Sequence, residues 1–217
     1  MDGYVFRTDK KGIYYVGDFD GLYTDEADPW GQSGSIRREY QLSRNKQLEL
    51  LEDWVSGRSL CDVGCGLGYT TNFFNSRFDV VGIDISKIAI EKAARNFPHI
   101  PFFCHDARLP KVFERKFDVV VLNQLLWYIM YDFQRVLSFM RSNLNETGIV
   151  LLSNFIFSRN NQMYGRDLFI GHCEVLKWLE SSIDKSFQIA SFSCSQLDSK
   201  YFDFHAILSL NRVKSFT

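Results

Sequence analysis

Residues 60–68 read Leu60-Cys61-Asp62-Val63-Gly64-Cys65-Gly66-Leu67-Gly68. The stretch SLCDV (59–63) is a short apolar strand, and YTTNFFNS (69–76) is a helix candidate. Between them sits a G-x-G-x-G loop. Glycines at a strand-to-helix corner allow a tight turn and close approach of backbone to a ligand. The spacing differs from the G-x-G-x-x-G of dinucleotide loops, which cradle a pyrophosphate at a helix N-terminus. A tighter loop led by the carboxylate of Asp62 suits a ligand that carries an ammonium group and no phosphate.

Outward from this loop the chain alternates strand and helix. FDVVGID (78–84) reads as a strand, and Ser86 can cap a helix over KIAIEKAARNF, with Pro98 just past its end. PFFCHD (101–106) and FDVVVLN (117–123), with its unbroken apolar run VVVL, follow as strands. Asp132 can cap a helix whose Phe133, Val136, Leu137, Met140 and Leu144 share one face. GIVLLSNF (148–155) is a further buried strand, and Glu174–Ser181 a further helix. Such alternation predicts an α/β fold with a doubly wound, mostly parallel sheet. The tail segments FQIASFSCS (187–195) and YFDFHAILSLN (201–211) lie too close in sequence for a parallel crossover. They are expected to be antiparallel neighbours. Upstream, residues 36–56 read as a helix with Leu48, Leu51 and Val55 at helical spacing, and residues 1–35 show no persistent period. That first segment is expected to be a loop-rich arm.

In such sheets ligands bind at the carboxyl ends of the strands, and four strand ends here carry notable residues. The first is the Asp62–Gly68 loop, with Gly64, Cys65, Gly66 and Gly68. The second is Asp84, followed by Ile85. A carboxylate there can accept hydrogen bonds from both hydroxyls of a ribose, whereas the alternative role of helix cap is already offered by Ser86. The third is Asp106 with Ala107, where a carboxylate can accept from the exocyclic amine of adenine and a backbone N–H can donate to the ring. The fourth is Asn123-Gln124-Leu125-Leu126-Trp127-Tyr128, facing the place where a cofactor's reactive end would lie. A ribose, an adenine and an ammonium without a pyrophosphate point to S-adenosylmethionine (SAM).

With those residues in view, positions 58–155 resemble the core of the class I SAM-dependent methyltransferases. Two segments resemble the nodulation protein S-like branch: Asp28-Pro29-Trp30 followed by a helix with Tyr40, and FDVVVLNQLLWYI, which is similar to that branch's F-D, apolar run, S-E-V-L-Y-Y-L. The resemblance implies a Rossmann-like sheet of seven strands with the last antiparallel. It implies an N-terminal arm and helix (1–56) folded over SAM, a catalytic core (57–217) in the same single domain, and a small acceptor such as a sugar amine or hydroxyl. S-adenosylhomocysteine (SAH) would be the product. Asn123-Gln124 departs from that branch's Ser-Glu, and an amide does not titrate.

Methyl transfer from a sulfonium is an in-line displacement, so alignment and exclusion of water dominate. A hydroxyl acceptor gains from a base, while a deprotonated amine does not need one. The candidate acceptor-side residues are Gln124, Tyr128 and His172, with His105, His205 and Tyr15 as further possible bases. Trp30, Tyr40 and Asn123 are expected beside the cofactor. Arg37 and Arg38 are candidates for its carboxylate or for an anionic acceptor.

Composition narrows the partners. The chain has 217 residues, a formal net charge of -1 and 46% hydrophobic residues, which suits one globular domain and offers no basic field for a long nucleic acid. A methylated nucleic acid or protein is the rival acceptor, yet NQLLWY lacks the proline-containing run usual after strand four in base-amine methyltransferases. A nicotinamide oxidoreductase is disfavoured by the glycine spacing. A SAM-binding protein without catalysis stays open because of the amide pair. Cys61, Cys65, Cys104, Cys173 and Cys194 fit no zinc spacing and read as reduced thiols, with no metal. The N-terminus lacks a signal-peptide core and no run nears a membrane span, so a cytoplasmic protein without a membrane partner is expected.

Overall fold

The apolar runs read above become strands because their alternate residues are buried on both faces of one sheet. A computed structural model describes residues 3–10, 12–33, 38–110 and 113–211. Its sheet contains β3 (Ser59–Val63), β4 (Asp79–Asp84), β5 (Phe102–Cys104), β6 (Phe117–Asn123), β7 (Leu144–Phe157), β8 (Phe187–Gln196) and β9 (Tyr201–Leu210). The order across the sheet is β5-β4-β3-β6-β7-β9-β8. The first five strands pair in parallel, and β9 runs antiparallel to both β7 and β8. This is the expected mostly parallel, seven-stranded α/β sheet with its last strand reversed. Val119 and Val121 of β6 pack on one face with Leu51 and Leu60, while Val120 and Leu122 pack on the other with Val136, Leu137 and Met140.

The helices between the strands are α3 (Tyr69–Phe74), α4 (Lys87–Asn96), α5 (Leu126–Ile129), α6 (Phe133–Asn143) and α7 (His172–Ser182). Ser86 caps α4 as expected, its hydroxyl accepting from the Ala89 N–H at 3.1 Å. Asp132 precedes α6 without a side-chain cap bond. Its carboxylate lies 3.4 Å from Arg135 and 3.6 Å from Arg108 instead. Preceding the sheet, α2 spans Arg38–Trp54.

The N-terminal arm corrects one expectation. It is not loop alone: β1 (Phe6–Asp9) and β2 (Gly12–Tyr15) form a two-stranded hairpin, and α1 (Phe19–Asp25) follows. The strands are four residues each and largely exposed, so no apolar period marks them. A hairpin this short is marginal alone. Ring contacts hold it: Phe6 packs against Tyr15, Tyr128 and Tyr164 with centroids 5.8, 5.9 and 4.9 Å apart. The helix is anchored to α4, with Asp20 accepting from the Ser86 hydroxyl at 2.7 Å. Among the described residues no helix is long and apolar enough to cross a membrane. No group of three His, Cys, Asp or Glu among them is placed to hold a metal.

Candidate active site

The parallel strands end on one side of the sheet, and the arm and α2 cover that side. Between them lies a cavity of about 1110 Å³. Asp62, Gly64, Cys65, Asp84, Ile85, Asp106, Ala107, Asn123, Gln124 and Tyr128 all line it, together with Trp30 and Tyr40 from the covering elements.

At the end of β3, Gly64, Gly66 and Gly68 have φ of 75°, 55° and 82°, a region that L side chains avoid. A Cβ on Gly66 would come within 2.7 Å of the Tyr23 hydroxyl and 3.0 Å of Gln32. Gly66 and Gly68 do not line the cavity; they shape the loop around it. Asp62 is 1% exposed, and one of its oxygens accepts from the Thr71 hydroxyl at 2.7 Å. Burial raises its pKa to about 7, against the opposing effects of Thr71 and of the Arg44 charge.

Asp84 ends β4. One oxygen accepts from the Gly66 N–H at 2.9 Å and the other from the Ser86 N–H at 2.9 Å. Each oxygen keeps a second lone pair, so a vicinal diol has two acceptors within reach. Burial pushes this carboxyl up from its ordinary value, with the backbone bonds opposing. Asp106, after β5, is differently occupied. Arg108 grips both its oxygens, through its Nε at 2.9 and 3.1 Å and its Nη2 at 2.8 Å. Burial raises the Asp106 pKa, and the Arg108 bonds and charge more than reverse that, leaving it lowered.

At the end of β6, Gln124 has φ 56°, a left-handed conformation unusual for a residue other than glycine. Its N–H donates to Ser153 O at 2.7 Å, and its Oε1 accepts from the Phe155 N–H at 2.9 Å. The strained turn is thus tied to β7. Asn123 accepts from Gln47 Nε2 at 3.1 Å. The Tyr128 ring meets Trp30, Phe19 and Tyr15 with centroids 5.9, 5.4 and 6.4 Å apart. Burial is the main cause that pushes its hydroxyl well above the ordinary tyrosine value.

His172 is placed elsewhere than expected. It starts α7, stacks on Phe202 at 3.4 Å between centroids and does not line the cavity. The loop from Ser158 to Gly171 is closed on itself by Gln162, whose Nε2 donates to Phe169 O at 2.8 Å and whose Oε1 accepts from the Gly171 N–H at 2.6 Å. His205 is buried beside Asp203 on β9, and His105 lines the cavity near Asp106. Arg38 is exposed and off the cavity, while Arg37 lies outside the described residues.

The residue that sequence reading missed is Arg44. It is 6% exposed and lines the cavity, and no carboxylate among the described residues lies within ion-pairing distance of it. Burial lowers its pKa, and the nearby Asp62 raises it. A buried guanidinium beside a buried carboxylate can receive a zwitterion, the cation holding a ligand carboxylate and the anion a ligand ammonium. Gln32 and Tyr23 were also missed. Gln32 accepts from the Leu67 N–H at 3.2 Å and Tyr23 packs on Leu67, so both fasten the arm over the glycine loop, while Tyr23 also accepts from Trp30 Nε1 within the arm at 2.9 Å.

Comparison with known proteins identifies the family to which this fold belongs. A family model described as a methyltransferase domain matches residues 35–185. A malonyl-[acyl-carrier protein] O-methyltransferase of Bacillus anthracis is 29% identical over 131 residues, 58% of this chain and 48% of the relative. A putative methyltransferase of Invertebrate iridescent virus 6 is 27% identical over 135 residues, again 58% of this chain and 49% of the relative. The chain therefore spans about half the length of these curated relatives. Among solved structures, the N-methyltransferase NodS of Bradyrhizobium japonicum, crystallised with SAH, superposes with a TM-score of 0.67 at 16% identity, covering 86% of this chain and 93% of that one. The magnesium protoporphyrin IX methyltransferase of Synechocystis, crystallised with SAM, superposes with a TM-score of 0.59 at 17% identity, covering 88% and 93%. With the family model matching well over half of its residues, this chain belongs to the methyltransferase domain family.

Proposed function

We propose that this chain binds SAM and directs its methyl group to a nitrogen or oxygen of a small molecule, as a single domain with its N-terminal arm over the site. The observation that carries the reading is the set of ligand-ready groups in one cavity: the buried Arg44, the buried Asp62 and the two-acceptor carboxylate of Asp84. SAM has the matching parts in the matching order. The residues fit: Arg44 receives the carboxylate and Asp62 the ammonium, while Gly64 and Cys65 bring backbone close. Asp84 takes the ribose hydroxyls. Ile85 and Ala107 flank the adenine, and Asp106, already bound by Arg108, lies at its edge.

When bound, the cofactor supplies an electrophilic methyl group on a sulfonium. The chain's own part is placement. Asn123, Gln124 and Tyr128 stand at the strand end where the methyl would point, and Trp30 and Tyr40 close the cavity against water. Relatives and neighbours acting on an acyl-carrier-linked malonyl group, a porphyrin and, in NodS, a nitrogen support the chemistry and differ in acceptor.

Titration calorimetry with SAH and NAD tests the reading. SAH is expected to bind, and Asp84→Ala to weaken it by about 1.5–3 kcal/mol, the range for hydrogen bonds to a charged group. Binding of NAD in preference to SAH would overturn the proposal.

A further inference from the structure

Deepening that reading, and resting on it, we propose that the acceptor is an uncharged, ring-bearing molecule offering a neutral nitrogen, selected by an aromatic inner wall without a catalytic base. The wall is what the cofactor contacts leave over. Beyond Asn123 the cavity runs on between the β1–β2 hairpin, the end of β7 and the β8–β9 turn. Its half-buried lining there is Phe6, Tyr15, Tyr128, Phe155, Tyr164 and Tyr201. The charged lining residues Arg7, Glu39 and Asp198 are exposed, at the mouth. Asn161 is the half-buried amide on this side, and it donates to the Ser158 hydroxyl at 2.6 Å. A flat aromatic ring can lie against these faces over its whole area, whereas a sugar ring presents them only its C–H face.

The reacting end holds amides and phenols. Asn123 and Gln124 cannot take a proton, and burial pushes the Tyr15 hydroxyl up to about 12, so it serves as a donor near neutral pH. The carboxylates Asp62, Asp84 and Asp106 and the ring of His105 stand at the cofactor end, and His172 and His205 are off the cavity. An alcohol would lack the base it needs. A carboxylate or phosphate acceptor would be buried without a free side-chain cation, since Arg44 serves the cofactor end and Arg108, which also lines the cavity, is taken by Asp106 and Asp132. A ring or aryl nitrogen needs neither. Its lone pair forms the new C–N bond as the C–S bond breaks and that electron pair passes to sulfur. The positive charge moves to nitrogen, beside ring faces that favour it. An N–H, where present, is lost to water afterwards.

Transfer from SAM labelled in its methyl group is measured to quinoline, aniline, benzoate and glucosamine, alongside calorimetric binding of each to the SAH complex. Quinoline or aniline is expected to exceed glucosamine and benzoate about tenfold in kcat/KM, a difference of one tenfold step in transition-state binding. Tyr164→Ala and Phe155→Ala are expected to lower that value while SAH affinity, which reports folding, holds. Preference for glucosamine or benzoate overturns the proposal. So does a panel in which neither ring nitrogen turns over and neither binds the SAH complex better than glucosamine. Failure of SAH itself to bind would overturn the methyltransferase reading and this one with it.

Discussion

Asp62 shows how one buried carboxylate can tune a site. Its pKa, raised to about 7 by burial, means that the folded chain keeps a proton there at pH values where the unfolded chain has lost it. From this group alone, stability of the ligand-free protein therefore declines as pH rises from the usual carboxylate range toward 7. Ligand binding runs the other way, because an ammonium needs the ionised form. SAH affinity is expected to fall about tenfold for each pH unit below 7 and to level off above it. Asp62→Asn should flatten that slope, weaken binding at pH 8 and stabilise the ligand-free protein there. Calorimetry from pH 5 to pH 8 measures it, and a flat wild-type profile contradicts the assignment. Asp62, Asp84 and Asp106 were legible in the sequence because strand ends are marked by the apolar runs before them. Arg44 was not legible. An arginine inside a polar helix reads as solvated, and only the tertiary fold reveals that this one faces inward.

The helix that carries Arg44 explains the misreading. Sequence periodicity assigns the buried face of α2 to Leu48, Leu51 and Val55, yet the fully buried residues are Ser43, Arg44, Gln47 and Leu51. The helix docks through Leu51 at its apolar end and through polar groups in its first half. Gln47 Nε2 donates to Asn123 at 3.1 Å and to Ser153 at 2.9 Å, and Ser43 donates to Asp203 at 2.9 Å. Asp203 lies 3.0 Å from His205 Nε2, at an angle too poor for a hydrogen bond. These bonds fix the rotation of α2 and so the direction of Arg44. Gln47→Leu removes the two bonds to Asn123 and Ser153 and is expected to weaken SAH by about 1–3 kcal/mol. It should leave 5′-methylthioadenosine, which lacks the carboxylate, nearly unaffected. In an Arg44→Met background the same change should have little further effect, because the two residues act on one contact. Additive losses would mean that Gln47 supports the site by another route. The hairpin was illegible for a related reason: its order comes from Phe6 reaching Tyr128 and Tyr164, long-range contacts that leave no local period.

At the scale of the whole molecule, the chain is a sheet with its own core and an arm that lies over the cavity and rests beside it on α4. The sheet needs no ligand to pack: β6 is buried along nearly its whole length. The arm has less to hold it. The hairpin leans on rings, and α1 and the residues after it rest on Asp20–Ser86, Gln32–Leu67, the Lys92 ammonium donating to Tyr23 O and Glu26 O, and the small cluster of Tyr23, Leu67 and Ala89. Segments with few buried apolar contacts open at low cost in free energy. A ligand held between arm and sheet would contact both, so its binding energy is expected to stabilise the arm's docking as well as the global fold. At a hundredfold excess over Kd, SAH is expected to add about 2.7 kcal/mol of stability, which for a domain of this size is about 5–10 °C in Tm. Hydrogen exchange should then show where closure occurs. Added protection in 6–33 and along α2, with smaller changes in β3 and β6, is the expected pattern. Equal protection throughout the sheet and none in the arm would place the ligand's grip on the core alone and remove the arm's role as cover.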